Sequence, residues 1–132
     1  MKARPIKMVK RKNGIGSKRI QCSPDEATHI ELKFPLEHIY VDWDYFGTIE
    51  REYPLLYVII PIQTKGTREG TGNWTWNGSV EKPTIRPSIL RTKKFAGKEY
   101  RCHCWVNDGK VKFLSDCSHD KANEIIDLLD IE

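Results

Sequence analysis

Long apolar segments are missing from this chain. No run approaches the ~20 residues that a membrane-spanning helix needs, and the basic N-terminus lacks the apolar core and small-residue cleavage site of a signal peptide. These absences argue against the membrane and secreted classes, and we expect a cytoplasmic protein. Because thiols stay reduced in the cytoplasm, the four cysteines favour metal binding or burial over disulfide bonds.

Acidic residues are missing from the first 24 positions, which hold eight lysines and arginines against a net charge of +4 for the whole chain. The pattern predicts a basic, flexible N-terminal arm at residues 1–18, followed by a single β-rich domain at residues 19–132. Such an arm is typical of contact with nucleic acid or an acidic protein surface, and the alternative is a solvated terminus. The candidate binding residues are Lys10, Arg11 and Lys12.

The length and the spacing of apolar residues bound the fold. A chain of 132 residues forms one domain as a rule and buries roughly two thirds of its unfolded surface. Alternating segments, which indicate antiparallel strands, lie at 28–34, 38–46, 55–62, 73–77, 100–106 and 110–115. Pro83 and Pro87 predict an edge or extended segment between them, and apolar spacing after Ser118 predicts a short C-terminal helix. We expect an α+β fold, mainly antiparallel β, as a sheet or partly open barrel.

Potential metal ligands are concentrated in Arg101–Asp120, which holds three of the four cysteines and two of the four histidines. Their thiolate and imidazole groups are the ligands that zinc prefers. The same stretch contains Asp108-Gly109, a strong signal for a two-residue hairpin turn. The candidate ligands are Cys102, His103, Cys104, Cys117 and His119.

The hairpin register decides which of these donors converge. With Asp108-Gly109 at the tip, Cys102 and Cys104 share one face of the strand and His103 takes the other, because side chains alternate. Cys117 extends the face of Cys102. The predicted zinc ligands are Cys102, Cys117 and His119, completed by His103, Cys104, Cys22 or His29. The alternative is that the cysteines are small buried side chains without a metal.

An enzymatic interpretation uses the same stretch. An open zinc position could activate water, or Cys117 could act as a nucleophile beside a histidine. Asp116 could orient an imidazole through its second nitrogen. The side chains available for such a hydrolase are His103, Asp116, Cys117 and His119. Elsewhere, Trp74 and Trp76 project to one side of a predicted strand, where they form either core or an aromatic binding platform.

Two blocks of the chain resemble a family of small phage and bacterial proteins of unknown function. Gly72–Leu90 contains W-x-W-x-G and P-T-x-x-P-S, and Arg101–Ile131 contains C-H, D-G, F-L and D-C-S-H. The family is often labelled ammonia monooxygenase, although nothing here resembles the membrane subunits and copper sites of that enzyme. The matching residues are Trp74, Trp76, Gly78, Pro83, Thr84, Pro87, Ser88, Cys102, His103, Asp108, Gly109, Phe113, Leu114, Asp116, Cys117 and His119.

The resemblance favours His103 as the fourth ligand, because its members carry serine at the position of Cys104, whereas the hairpin register favours Cys104. It implies a small phage-type accessory protein, in the host cytoplasm when phage-encoded, whose zinc site stabilises a binding module for a host protein or nucleic acid. Some bacterial members occur beside ubiquitin-like conjugation genes, which implies the alternative of a peptidase-like hydrolase. The sequence leaves the choice between binding module and enzyme open.

Overall fold

The computed structural model describes residues 1–36, 39–42, 50–53, 57–64, 72–95 and 98–131. Strands dominate these residues, as the alternation of apolar side chains predicts. In chain order they are β1 (Ala3–Lys10), β2 (Ser17–Gln21), β3 (His29–Lys33), β4 (Ile39–Asp42), β5 (Glu50–Tyr53), β6 (Tyr57–Pro61), β7 (Thr75–Trp76), β8 (Ile85–Phe95), β9 (Lys98–Asn107), β10 (Lys110–Phe113) and β11 (Ile125–Asp127). Parts of two predicted strands, at 43–46 and 55–56, lie outside the described residues.

Two larger antiparallel sheets carry the fold. The first has the strand order β2-β1-β3-β6 and the second the order β11-β10-β9-β8-β7, while β4 and β5 pair with each other. Neither larger sheet closes on itself within the described ranges. The prediction of a mainly antiparallel β-fold is therefore confirmed, and its form is open sheets rather than a barrel.

One buried cluster joins the two larger sheets. The rings of Phe34, just after β3, and Phe113, on β10, meet edge to face with their centroids 6.1 Å apart. Branched aliphatic side chains and two cysteines fill the space around them. The buried residues that β3, β8 and β9 contribute are Ile30, Leu32, Ile85, Ile89, Cys102, Cys104 and Val106. The inward face of β9 is thus fixed by packing along its length.

The hairpin of β9 and β10 has the predicted register. Lys110 pairs with Asn107 and Phe113 with Cys104. Asp108 and Gly109 both have positive φ, 51° and 78°, as the two central residues of a type I′ turn require. The Asp-Gly signal therefore sets which side chains of β9 face the core.

Strand β8 confirms the expectation of an edge for most of its length. Its first residues, Ile85 and Arg86, lie between β7 and β9, whereas Ile89–Phe95 pair with β9 alone among the described residues. The prolines are tolerated because Pro83 precedes the strand, and because the β8–β9 pairing shifts register between Ile85 and Ile89, around Pro87. A bulge leaves residues outside the ladder, so the missing N–H of Pro87 costs no hydrogen bond there.

The N-terminal segment also differs from the prediction. It is not a flexible arm, since β1 pairs with β2 on one side and β3 on the other. Ala3 and Ile6 are buried, while Lys10 is exposed. Arg4 and Lys7 are only partly exposed, and the basic residues from Lys10 to Arg19 are exposed. A charge count over the segment therefore does not reveal the buried positions within β1.

The predicted C-terminal helix is absent from the described residues. Turns follow Ser118, and β11 then pairs with β10. Burial alternates along this segment: Ile125 and Asp127 are exposed, Ile126 is partly buried and Leu128 is buried. This alternation is the period of two of a strand and not the 3.6-residue period of a helix. Asn123 adopts a φ of 69°, which ends any helical continuation. Among the residues described, no helix is long and apolar enough to cross a membrane.

Candidate functional site

The alternation of side chains along β9 separates two groups of functional residues. Cys102 and Cys104 point into the core, with 1% and 0% of their surface exposed. His103, between them, points to the other face of the sheet and is only partly buried. One strand therefore carries a thiol group on its inner face and an imidazole on its outer face.

His103 bridges a serine and an aspartate. Its Nε2 atom lies 3.1 Å from the hydroxyl oxygen of Ser88 on β8. Its Nδ1 atom lies 3.0 Å from Oδ2 and 3.2 Å from Oδ1 of Asp116, in the loop after β10. With the proton on Nδ1, the imidazole donates to the carboxylate and its Nε2 lone pair accepts the serine hydroxyl proton. Three residues that are distant in sequence thus form one hydrogen-bonded chain.

The β8 bulge holds Ser88 in this position. Arg86 donates to the carbonyl oxygen of Val106 at 3.2 Å and to Oδ1 of Asn107 at 2.8 Å, and its guanidinium lies over the ring of Trp105. From the other side, the indole N–H of Trp74 donates to the carbonyl oxygen of Ser88 at 3.3 Å. The serine backbone is therefore held from both sides, as is common for bulges at functional sites.

The P-T motif fastens the hairpin to the segment that leads into β8. The amide of Asp108 donates to the hydroxyl of Thr84 at 2.9 Å, and the amide of Gly109 donates to the carbonyl oxygen of Pro83 at 2.9 Å. These bonds couple β8, which bears the serine, to β9, which bears the histidine. Pro83 and Thr84 of the motif thus both hold the hairpin turn against the segment before β8.

Asp116 is set up to stay ionised. The hydrogen bond with His103 is the largest cause that lowers the pKa of its carboxyl group, and Arg101 lowers it further. Arg101 lies 3.5 Å from Oδ2 of Asp116 and 2.7 Å from Glu99. Because 38% of the Asp116 side chain is exposed, solvent screens these charges, and the main contribution of the contact is orientation of the imidazole.

The second group lies on the inner face of the sheet. The ligand atoms of Cys102, Cys117 and His119 all fall within 4.8 Å of one another, a grouping that could hold a metal ion. Nε2 of His119 is buried and, among the described residues, has no hydrogen-bond partner. A buried polar atom without a partner is costly, so the donor set fits an ion better than an empty core.

Burial and thiol contacts shape the electrostatics of this group. A hydrogen bond from Cys104 lowers the pKa of the Cys102 thiol, and the same contact raises the pKa of Cys104. Burial raises the pKa of Cys117. The ionised form is therefore favoured at Cys102 over Cys104 and Cys117, and the thiolate is the form that binds cations.

The structure separates the residues of the predicted hydrolase. His103 joins Asp116, whereas Cys117 joins His119 on the other side of the sheet. The imidazole of His103 is thus occupied by Ser88 and Asp116, away from the thiols. Cys104, Cys22 and His29 do not belong to the inner group.

The predicted binding residues lie apart from one another. Trp74 and Trp76 are partly buried against the core, and Trp76 donates its indole N–H to Ser79. Lys10 ends β1, and Arg11 and Lys12 follow it, exposed, at the turn into β2. A role for these five side chains in binding stays a prediction.

Ser88 is a candidate site residue to which the sequence alone assigns no role. It was included among the residues that match the family pattern, but without a role. It lacks a G-x-S-x-G signature. His103 lies 15 positions after Ser88, and Asp116 lies 13 positions after His103. Only the pairing of β8 with β9 brings them together, so no local signal marks it.

A serine, a histidine and an aspartate linked in this order define the arrangement used by serine hydrolases. Independently of that geometry, residues 58–114 match the family described as bacterial ubiquitination-like system serine protease (BubE). The matched region contains Ser88 and His103 and ends just before Asp116. No curated protein and no solved structure matches the chain. The similarity covers less than half of the 132 residues.

Proposed function

We propose that this protein is a serine peptidase of a bacterial ubiquitination-like system, with Ser88 as nucleophile, His103 as general base and Asp116 as the group that orients the imidazole. The hydrogen-bonded chain Ser88–His103–Asp116 is the observation that carries the proposal. The similarity to the BubE family over residues 58–114 supports the choice of peptide bonds as substrate.

The acylation step follows from the three contacts. Ser88 Oγ attacks the carbonyl carbon of the scissile bond while Nε2 of His103 takes the hydroxyl proton. The carbonyl π-electrons move to oxygen, and Asp116 stabilises the imidazolium through Nδ1–H. When the tetrahedral intermediate collapses, the C–N bond breaks, Nε2 returns the proton to the leaving amine, and an acyl ester remains on Ser88.

Deacylation reverses the roles. A water molecule attacks the ester carbonyl carbon while His103 takes one of its protons. The ester C–O bond then breaks, the proton passes to Ser88 Oγ, and a carboxylic acid product leaves. In neither step does a thiol of the inner face make or break a bond.

A fluorophosphonate probe, which reacts covalently with activated serines, tests the proposal directly. We expect the probe to label purified protein at one site and peptide mass spectrometry to identify that site as Ser88. Ser88→Ala and His103→Ala should abolish labelling. Ser17→Ala, at an exposed serine on β2, is the matched control and should label normally. An unlabelled protein, or labelling that survives Ser88→Ala, overturns the proposal.

For the inner group we infer zinc as the ion. Thiolate and imidazole donors favour zinc, and the buried setting is typical of a closed structural site. Cys104 is the candidate for the fourth ligand, since it is fully buried on the same inner face as Cys102, whereas His103 is engaged on the outer face. The Cys104 thiol would have to move to join the three ligand atoms that already lie together. A metal bound at Nε2 of His119 would leave the ring proton on Nδ1. Because a protonated Nδ1 cannot accept a hydrogen bond, the 3.2 Å bond from the amide of Lys121 would then be lost.

Zinc content tests this inference. Protein purified without added metal should contain about one equivalent of zinc by elemental analysis, as a closed four-ligand site implies. Substitution of Cys22, which lies outside the group, should leave the content unchanged, whereas Cys102→Ala should remove it. Protein that is metal-free and gains no zinc on titration overturns the assignment.

A further inference from the structure

The two groups on β9 share neighbouring residues. Cys102 immediately precedes His103, and Cys117 immediately follows Asp116. In both places a ligand of the inner group and a member of the outer triad are consecutive, so their Cα atoms are about 3.8 Å apart. Movement of the inner side chains therefore moves the backbone that aims the outer ones.

A direct contact also links the groups. The amide of His103 donates to Sγ of Cys117 at 3.2 Å, and the Cys117 thiol donates to the carbonyl oxygen of His103 at 3.1 Å. Metal binding removes the thiol proton. The thiol then no longer donates to the carbonyl oxygen of His103. The bond from the amide of His103 ends on a thiolate and becomes stronger, since a charged acceptor roughly doubles the strength of such bonds.

The loop that carries Asp116 is held against β9 at both ends and at Cys117, whose thiol makes the two bonds just described and whose amide donates to the carbonyl oxygen of Leu114 at 3.3 Å. Its two ends are tied to β9, where the amide of Leu114 donates to His103 and the amide of Ser118 donates to Arg101, both at 2.9 Å. Between these ties, Asp116 is substantially exposed and its carboxylate is oriented only by polar contacts. Two metal bonds, to Cys117 and His119, would fix the loop on its inner side.

We propose that a zinc ion bound by Cys102, Cys117 and His119 positions His103 and Asp116 for catalysis without taking part in the reaction. This inference rests on the proposed function, since it concerns the reactivity of Ser88. The ion lies on the core side of the sheet, and the reacting atoms lie on the solvent side. The cysteines and His119 are therefore positioning residues, and the hydrolase is active only in its metal-loaded form.

The test combines metal exchange with substitution of the ligand farthest from the triad. His119 is three residues from Asp116 and contacts neither Ser88 nor His103. His119→Asn removes a ligand, and His119→Cys replaces it with another zinc ligand. Cobalt(II) is exchanged into each protein, because thiolate-to-cobalt charge-transfer bands report occupancy of the thiol site. The rate of fluorophosphonate labelling of Ser88 is measured beside it, with hydrogen exchange of β1 and β3 as the check on folding.

We expect zinc removal and His119→Asn each to slow labelling about 10- to 100-fold, the usual effect of losing an orienting contact at a metal site. Added zinc and His119→Cys should restore the rate together with the cobalt bands, while β1 and β3 stay protected throughout. Equal labelling with and without metal, or absence of the cobalt bands, overturns the proposal. So does simultaneous loss of labelling and of β1–β3 protection, because the metal then only holds the fold.

These results separate the two proposals. Labelling of Ser88 that is independent of metal leaves the serine hydrolase standing and removes the positioning role. Metal-loaded protein whose Ser88 never reacts removes the hydrolase, whatever the cobalt spectrum shows. Ser88→Ala is the matched control, since it should bind cobalt normally and accept no label.

Discussion

Leu90 lies directly opposite His103 across the β8–β9 ladder. Opposed residues of an antiparallel pair project to the same face of a sheet, so Leu90 and the candidate general base share the outer face. The Leu90 side chain is 52% exposed. An apolar surface thus lies beside the triad, where a bound substrate would contact it.

Leu90→Asp should lower kcat/KM for peptide substrates with an apolar residue near the scissile bond. Losing one apolar contact is worth about 1–3 kcal/mol, or roughly 10- to 200-fold, and the loss should appear mainly in KM. Labelling by a small fluorophosphonate should continue at the original rate. Ile125→Asp, at an exposed aliphatic residue on β11, is the matched control. Equal KM values for the two variants would remove Leu90 from the substrate site.

Asp116→Asn should reduce kcat by about 10²- to 10⁴-fold and leave KM nearly unchanged. The amide cannot stabilise the imidazolium, and it can favour the wrong imidazole tautomer. Steady-state kinetics of the two proteins measures the effect. Asp127→Asn, which alters an exposed carboxylate paired with Lys110 at 2.6 Å, should have normal kcat. A normal kcat for Asp116→Asn would mean that the histidine needs no carboxylate partner.

Arg4→Met should destabilise the protein by about 3 kcal/mol, measured by urea denaturation. Glu31, with 8% of its surface exposed, is the one charged residue that is buried among those described, and its carboxylate pairs with Arg4 on β1. Removing one partner of a buried ion pair leaves the other charge buried without a partner. The double variant Arg4→Met with Glu31→Leu should recover most of the loss.

Lys7→Met is the comparison for that pair, because Lys7 and Glu26 form an exposed ion pair at 3.2 Å. Exposed pairs contribute about 0–1 kcal/mol, so this variant should be close to the parent protein. If Arg4→Met were no more destabilised than Lys7→Met, the Arg4–Glu31 pair would be energetically equivalent to a surface contact.

Gly109→Ala should lower the melting temperature more than Gly14→Ala does. Both glycines have positive φ, +78° and +73°, which costs an alanine about 1–2 kcal/mol. A Cβ on Gly109 would also lie 3.2 Å from the carbonyl oxygen of Glu81 and 3.3 Å from Cα of Lys82, whereas nothing lies within 4 Å at Gly14. Equal shifts by differential scanning calorimetry would show that the backbone of Glu81 and Lys82 moves away from the added Cβ without loss of stability.

The sequence predicts features that depend on neighbouring residues. Asp108-Gly109 specifies a two-residue turn from its own residue types. The turn fixes the register of β9 with β10, and the register places Cys102 and Cys104 on one face and His103 on the other. The grouping of Cys102 with Cys117 followed from the same register, and the structure places them together with His119. An ion there, and its identity as zinc, stay predictions.

The features that failed depend on distant pairing. The helix after Ser118 was inferred from spacing that also fits a strand, and β10 offers an edge on which β11 forms. Pro87 lies within a paired strand because the register shift between Ile85 and Ile89 accommodates it, which composition does not show. Ser88 acquires a partner only when β8 and β9 align, so its role is a property of the sheet and not of its own segment.

The alternation along β9 restricts how this strand can change in length. A substitution at Cys102, His103 or Cys104 changes one side chain and leaves the direction of its neighbours unchanged. Inserting or deleting a single residue within the strand would exchange its two faces, sending an imidazole into the core and thiols to the surface. We expect such a change in length to disrupt both groups at once, because the alternation of side chains along one strand serves both faces.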